Sequence, residues 1–137
     1  MVASDILKQN PLFAELSDAD ISSLVPSTRI ESFKTGHVIL REGRVGAAFY
    51  VIASGKVEVL KGMAGTEPLV VATLGPGDFF GEISTMKHVP RSASVRAAAE
   101  TTCLVIRRLH LDSFINEHPD LAAKVQSALA TRLPNLE

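Results

Sequence analysis

At Thr28 the hydrophobic period of this chain changes from helical to two, and it stays at two, in short bursts, as far as Arg107. Successive side chains on a strand leave on opposite faces, so polar–apolar alternation marks a strand with one face buried. Arg29-Ile30-Glu31-Ser32-Phe33, with Ile30 and Phe33 set among polar residues, reads as the first strand, and Gly36 marks the turn after it. His37 to Leu40 reads as a second strand, followed by a glycine-bearing turn at Glu42-Gly43-Arg44-Val45-Gly46. Ala48 to Ala53 and Lys56 to Leu60 are predicted to form a hairpin joined at Ser54-Gly55. Gly62 to Pro68 reads as a loose surface loop, and Leu69 to Leu74, Ser92 to Ala98 and Thr101 to Ile106 as further strands. Short strands with turn signals at close intervals predict a small antiparallel barrel or jelly roll.

Helical patterns flank this β region. Ser4 to Gln9 is a short helical stretch broken by Asn10-Pro11. Ser17-Asp18-Ala19-Asp20 has the form of a capping box, with an acid three residues after the serine. Ile21, Leu24 and Val25 follow at helical spacing before Pro26. After Arg107, Leu111, Phe114 and Ile115 are predicted to share one apolar face, and Pro119 suits the first turn of a new helix. Leu121, Val125, Leu129 and Leu133 then recur every four residues, a stripe that needs an apolar partner.

A length of 137 residues predicts one domain: helices over 1–27, a β-roll over 28–107 and C-terminal helices over 108–133. Fourteen Lys+Arg against fifteen Asp+Glu give a net charge of −1, which argues against a surface built to coat nucleic acid. No apolar run approaches the about 20 residues that span a bilayer, so a cytoplasmic location is expected. Cys103, the single cysteine, sits in the apolar stretch 101–106 and reads as a buried small hydrophobe. His37, His88, His110 and His118 show no metal-ligand spacing, and no nucleophile–base pair is apparent. Neither a metal site nor an enzyme is expected.

The chemistry concentrates in Leu74-Gly75-Pro76-Gly77-Asp78-Phe79-Phe80-Gly81-Glu82-Ile83-Ser84, followed by Pro90-Arg91-Ser92-Ala93-Ser94-Val95. Residues 81–86 lack strand alternation and suit one short helical turn, whose free N–H groups at Ile83 and Ser84 would face an anion. A guanidinium at Arg91 can hold two phosphate oxygens at once, and the Ser92 hydroxyl can donate another hydrogen bond. Glu82 beside an anion makes sense as an acceptor for a sugar hydroxyl. One cation, one acid and two amide donors suit a singly charged cyclic phosphodiester fused to a ribose. They suit a triphosphate poorly, since the chain has no P-loop lysine.

Phe80-Gly81-Glu82-Ile83 and Pro90-Arg91-Ser92-Ala93-Ser94-Val95 together resemble the phosphate-binding cassette of the cyclic nucleotide-binding domain family. That family includes the bacterial catabolite activator protein, kinase regulatory subunits and cyclic nucleotide-gated channels. Lys34-Thr35-Gly36-His37-Val38-Ile39, Arg41-Glu42-Gly43, Phe49-Tyr50-Val51-Ile52 and Ser54-Gly55 are similar to the family's early strands, and the likeness runs from about Asn10 to Leu133. It implies a mainly β fold with flanking helices, an antiparallel β-roll of jelly-roll type carrying the cassette at 80–95 and closed by C-terminal lid helices.

It also implies roles. Glu82 takes the ribose 2′-OH and Arg91 the exocyclic phosphate oxygens, while Gly81, Ile83 and Ser84 give backbone contacts and Ser92 and Ala93 close the phosphate side. Val59, Val71 and Leu74 wall the base, Phe80 opens the cassette, and Arg132 is a candidate cap on the base. Ser84 stands where the family usually has alanine, and the turn from Arg44 to Ala48 lacks an acid often found there.

The expected ligand is therefore cAMP or cGMP, with no further cofactor. The expected output is movement of the C-terminal helix toward the base as a lid, with a protein partner or effector domain reached through that helix and without nucleic-acid or membrane binding by this chain itself. A rival reading keeps the fold but leaves the pocket empty, as an interaction module.

Overall fold

Along the strand β3 (Ala48–Ser54), alternate side chains enter two different cores, and that alternation organises the whole molecule. The computed structural model describes residues 2–10, 13–14, 16–41, 48–62, 69–80, 93–120 and 123. Phe49, Val51 and Ala53 pack beneath a layer of helices, whereas Ala48, Tyr50 and Ile52 pack between two sheets. A strand buried on both faces loses polar–apolar alternation and reads as a nearly continuous apolar run, as Phe49-Tyr50-Val51-Ile52-Ala53 does.

The remaining strands are β1 (Thr28–Phe33), β2 (Val38–Leu40), β4 (Val57–Lys61), β5 (Leu69–Leu74), β6 (Phe79–Phe80), β7 (Ser94–Ala97) and β8 (Thr101–Arg107). They form two antiparallel four-stranded sheets, ordered β1-β8-β3-β6 and β2-β7-β4-β5. The mainly β, jelly-roll-like architecture expected from the sequence is what the chain adopts. Among the described residues, the helices α1 (Ala3–Gln9), α2 (Asp18–Leu24) and α3 (Arg108–Glu117) accompany it, with a short 3-10 turn at Val25–Ser27. Ile6 and Leu7 of α1, Ile21 and Leu24 of α2 and Phe114 of α3 cover the outer face of the first sheet. The Leu111 and Ile115 side chains and the stripe Leu121, Val125, Leu129 and Leu133 lie outside the described residues, as does the turn at 42–47.

Ser17 caps α2 as the sequence predicts, its Oγ accepting from the Asp20 N–H at 3.1 Å. This bond satisfies one of the donors left free in a first helical turn. Ser17→Ala is expected to cost about 1 kcal/mol, read as a lower urea midpoint. An unchanged midpoint would mean that packing against α1 alone holds the helix.

The hairpin expected from β3 and β4 does not form. The two strands belong to different sheets, β3 bonding to β6 and β8, and β4 to β5 and β7. Ser54-Gly55 reverses the chain as predicted but carries it across the sandwich. Gly55 makes this crossing with φ +95°, and a Cβ there would lie 2.6 Å from the Thr101 Cα and against the Glu100 carbonyl oxygen. Buried Thr101 fastens the crossing: its hydroxyl accepts from the Lys56 N–H at 3.1 Å and can donate to the Lys56 or Ala99 carbonyl oxygen. The true hairpin is β4–β5, which pair across the loop the sequence marks as loose.

Candidate functional site

Strand β5 ends in Gly75-Pro76-Gly77-Asp78, and the turn chemistry of these residues sets where the next segment begins. Proline presets the second position of a type II turn, and the third needs a positive φ that glycine supplies. Gly77 has φ +88°, and the Asp78 N–H donates to the Gly75 carbonyl at 3.0 Å. The Asp78 carboxylate accepts from the Gly75 N–H at 3.0 Å, so the turn is closed from both sides. Two more bonds fix it to β3: Gly77 N–H to the Ile52 carbonyl at 3.0 Å, and Ile52 N–H to the Asp78 carbonyl at 2.9 Å. Asn10, fully buried, adds an Nδ2 donor to the Gly77 carbonyl at 3.2 Å.

Phe79 and Phe80 then make β6, a strand the sequence does not reveal, since two residues have no period. Phe79 turns toward the helices, its ring 5.6 Å from that of Phe49. Phe80 enters the space between the sheets and stacks on Tyr50, with centroids 4.9 Å apart and planes 4° off parallel. Such offset ring pairs add about 0.5–1.5 kcal/mol beyond their burial.

Residues 81–92 follow, and Gly81, Glu82, Ile83, Ser84, Arg91 and Ser92 therefore lie outside the described residues, as does Arg132. The chain is described again at Ala93, which is fully buried, and enters β7 in the opposite sheet. The segment thus leaves one sheet at Phe80 and joins the other at Ser94. Phe80, Ala93 and Val59 are all fully buried members of one cluster with Leu40, Ile52, Val57, Val95, Cys103 and Val105. Val71 and Leu74, on the edge strand β5, are partly buried against the same cluster. The structure brings together the apolar residues that the sequence nominates from four separate stretches of chain. The signal for Tyr50 was present in the apolar run of β3; nothing local marks Asn10, whose partner is 67 residues away.

The cluster is electrically quiet. Burial, aided by the neighbouring Glu31 carboxylate, pushes the Cys103 thiol up to about 12, so it stays neutral, as its reading as a small hydrophobe requires. Glu58 and Arg96 sit opposite each other on β4 and β7, paired at 3.1 Å. Among the described residues no group of three His, Cys, Asp or Glu is placed to hold a metal ion, and no helix is long and apolar enough to cross a membrane. A separate groove of about 190 Å³ lies at the foot of β1 and β8, lined by Pro26, Ser27, Thr28, Arg29, Val105, Arg107 and His110. It shares Val105 with the inter-sheet cluster and includes none of the residues nominated for ligand binding.

Comparison with known proteins agrees with this architecture. Residues 30–118 match the family model described as the cyclic nucleotide-binding domain. A putative potassium channel protein of Rhodopseudomonas palustris is 34% identical over 122 residues, 89% of this chain and 29% of its own length. The cyclic AMP receptor protein of Thermus thermophilus is 32% identical over 127 residues, 93% of this chain and 59% of its own. Among solved structures, the Thermus thermophilus catabolite activator protein aligns with TM-score 0.82 at 32% identity, over 91% of this chain and 59% of that one. The regulatory domain of Toxoplasma gondii PKA, crystallised with cAMP, aligns with TM-score 0.75 at 28% identity, over 82% of this chain and 42% of that one. The chain thus spans less than two thirds of these relatives. With the motif, the two-sheet roll and the matched span in agreement, the chain belongs to the cyclic nucleotide-binding domain family.

Proposed function

We propose that this chain is a ligand-sensing regulatory module that binds a 3′,5′-cyclic nucleotide, cAMP foremost, with residues 80–95. The observation that carries the reading is the convergence of Phe80, Ala93, Val59, Val71 and Leu74 on one apolar cluster between the sheets. A segment anchored at both ends on such a cluster, and rich in glycine and polar groups between, can present amides and a guanidinium to an anion beside an apolar wall. In this reading Arg91 grips the exocyclic phosphate oxygens with help from Ser92 and Ala93. Gly81, Ile83 and Ser84 offer backbone groups, and Glu82 accepts from the ribose 2′-OH. Phe80 opens the segment from its stack on Tyr50, and Val59, Val71 and Leu74 wall the base. Arg132 caps the base when the C-terminal helix closes. The helix movement is the output, passed to a protein partner or effector domain. The module itself is regulatory rather than catalytic, works in the cytoplasm, takes no cofactor beyond its ligand, and contacts neither nucleic acid nor membrane on its own. The names of the relatives support cAMP: one is a cyclic AMP receptor, and another was solved with cAMP bound.

Calorimetry with cAMP and cGMP tests this reading. Micromolar or tighter binding, stronger for cAMP, is the expected result, and absence of heat with either ligand would favour an empty-pocket interaction module. Glu82→Ala is expected to abolish the preference for cAMP over its 2′-deoxy analogue, because the hydroxyl loses its acceptor. Should the variant still discriminate, Glu82 does not read the ribose.

A further inference from the structure

His118 directly follows α3, with both ring nitrogens engaged. Nδ1 lies 3.0 Å from the Phe114 carbonyl oxygen one turn back, and Nε2 lies 3.1 Å from Asp20 Oδ1 on α2. The ring is held in this orientation by stacking on Phe114, centroids 4.2 Å apart, and Phe114 is itself buried in the core between the helices and the first sheet. Both partners are acceptors. A carbonyl oxygen carries no proton, and neither does an ionised carboxylate. Neutral imidazole has a single N–H, so it satisfies one of the two, whereas imidazolium donates to both at once. We propose that His118 is a pH-gated clamp whose protonated form fastens the C-terminal end of α3 to α2 and whose neutral form gives up one of the two anchors.

The surroundings favour the cation. The end of α3 presents unsatisfied carbonyl groups, where positive charge is stabilised. The charged groups acting on the ring are Asp20 from α2 and Glu117 from α3, both acidic. The hydrogen bond to the Phe114 carbonyl first, and that to Asp20 next, raise the imidazole above its ordinary value of 6.5, with partial desolvation opposing. The same contact, seconded by Ser17, holds the Asp20 carboxyl below its ordinary 3.8. A raised histidine contributes stability in full below 6.5 and loses it as pH rises through the higher folded-state value. A lowered aspartate contributes above 3.8 and fails as pH falls through the lower folded-state value. The clamp is therefore closed over mildly acidic conditions and opens on the alkaline side.

Its position gives it leverage. Residues 119–120 are helical again directly after His118, so the clamp sits at the joint from which the C-terminal segment departs. A contact that holds this joint to Asp20 ties the end of α3 to the N-terminal helix α2 and makes their attachment depend on proton concentration.

Histidine ring titration by ¹H–¹⁵N correlation on the full chain tests the clamp. The His118 midpoint is expected above 6.5 in the wild type and lower in Asp20→Asn, which keeps the shape but removes the charge. Amides 115–118, corrected for intrinsic rates, are expected to exchange several-fold faster at pH 8 than at pH 6 in the wild type, and equally at both in His118→Gln. A wild-type midpoint at or below 6.5, the same midpoint in Asp20→Asn, or pH-independent exchange in the wild type would each overturn the proposal. Both side chains are partly exposed, at 20% and 38%, so the variants keep the core intact.

Discussion

Arg91→Ala is expected to weaken cyclic nucleotide binding by about 2–4 kcal/mol, a factor of roughly 30 to 1,000, with little change in the unfolding midpoint of the ligand-free protein. The size follows from what is left behind. A cyclic phosphodiester carries one negative charge, and taking it from water into a partly closed pocket requires a partner that replaces its hydration. Removing the guanidinium strands that charge against an apolar wall, so the loss exceeds that of an ordinary neutral hydrogen bond. Arg91→Lys refines the test, since it keeps the charge but not the planar fork that holds two oxygens together, and an intermediate loss is expected. Calorimetry on the three proteins measures the series. Equal affinities for wild type and Arg91→Ala would remove the phosphate role from this residue, and with it the main chemical support for the proposed ligand.

Phe80→Ala should destabilise the fold by about 3–5 kcal/mol, the range for emptying a fully buried aromatic site. The Phe80 ring is fully buried, is stacked on Tyr50, and is bonded through its backbone neighbours to the edge of β3. Its loss opens a cavity between the sheets and also loosens the point at which the cassette begins. A urea titration reads the first effect. The second appears as weaker ligand binding under conditions where the variant is still folded. A stability loss below about 1 kcal/mol would mean that Tyr50 and Val59 collapse into the gap, and that the ring is no anchor. Phe80→Leu, which retains most of the apolar volume, is expected to fall well short of the alanine effect.

The strands and turns differ in how much of their cause is local. The strands β5 and β8 are legible because a run of apolar and β-branched residues is a local property, whereas β1 carries no clean period: Ile30 is 48% exposed and Phe33, three residues on, packs against the inter-sheet cluster. The Ser17 cap is legible for a related reason, since a few neighbouring residues contain the whole hydrogen-bonding problem. Partnership between strands is different. Ser54-Gly55 specifies a reversal, but the same two residues serve a hairpin and a crossing between sheets. The difference lies in Thr101 and Glu100, some forty-five residues on, which crowd the glycine and hold Lys56. The two-residue strand at Phe79–Phe80 escaped for want of any period. The cassette is the reverse case. Its meaning for Glu82 and Arg91 is carried by spacing and residue type, and the structure contributes the apolar frame at its two ends.

The strand orders also govern when this molecule comes into being. The last two strands to leave the ribosome, β7 and β8, are internal members of their sheets, β7 between β2 and β4 and β8 between β1 and β3. A nascent chain halted before Ser94 can form the β4–β5 and β3–β6 pairs, but β1 and β2 have no partner strand and their backbone edges face water. Almost every lasting pairing joins distant parts of the polypeptide, a topology that nucleates slowly. The stretch between Phe80 and Ala93 is the bridge over which those two late strands arrive. A small molecule that binds the folded chain through that bridge stabilises the closure of both sheets, so its grip is felt by the entire roll and not only by the few groups that touch it.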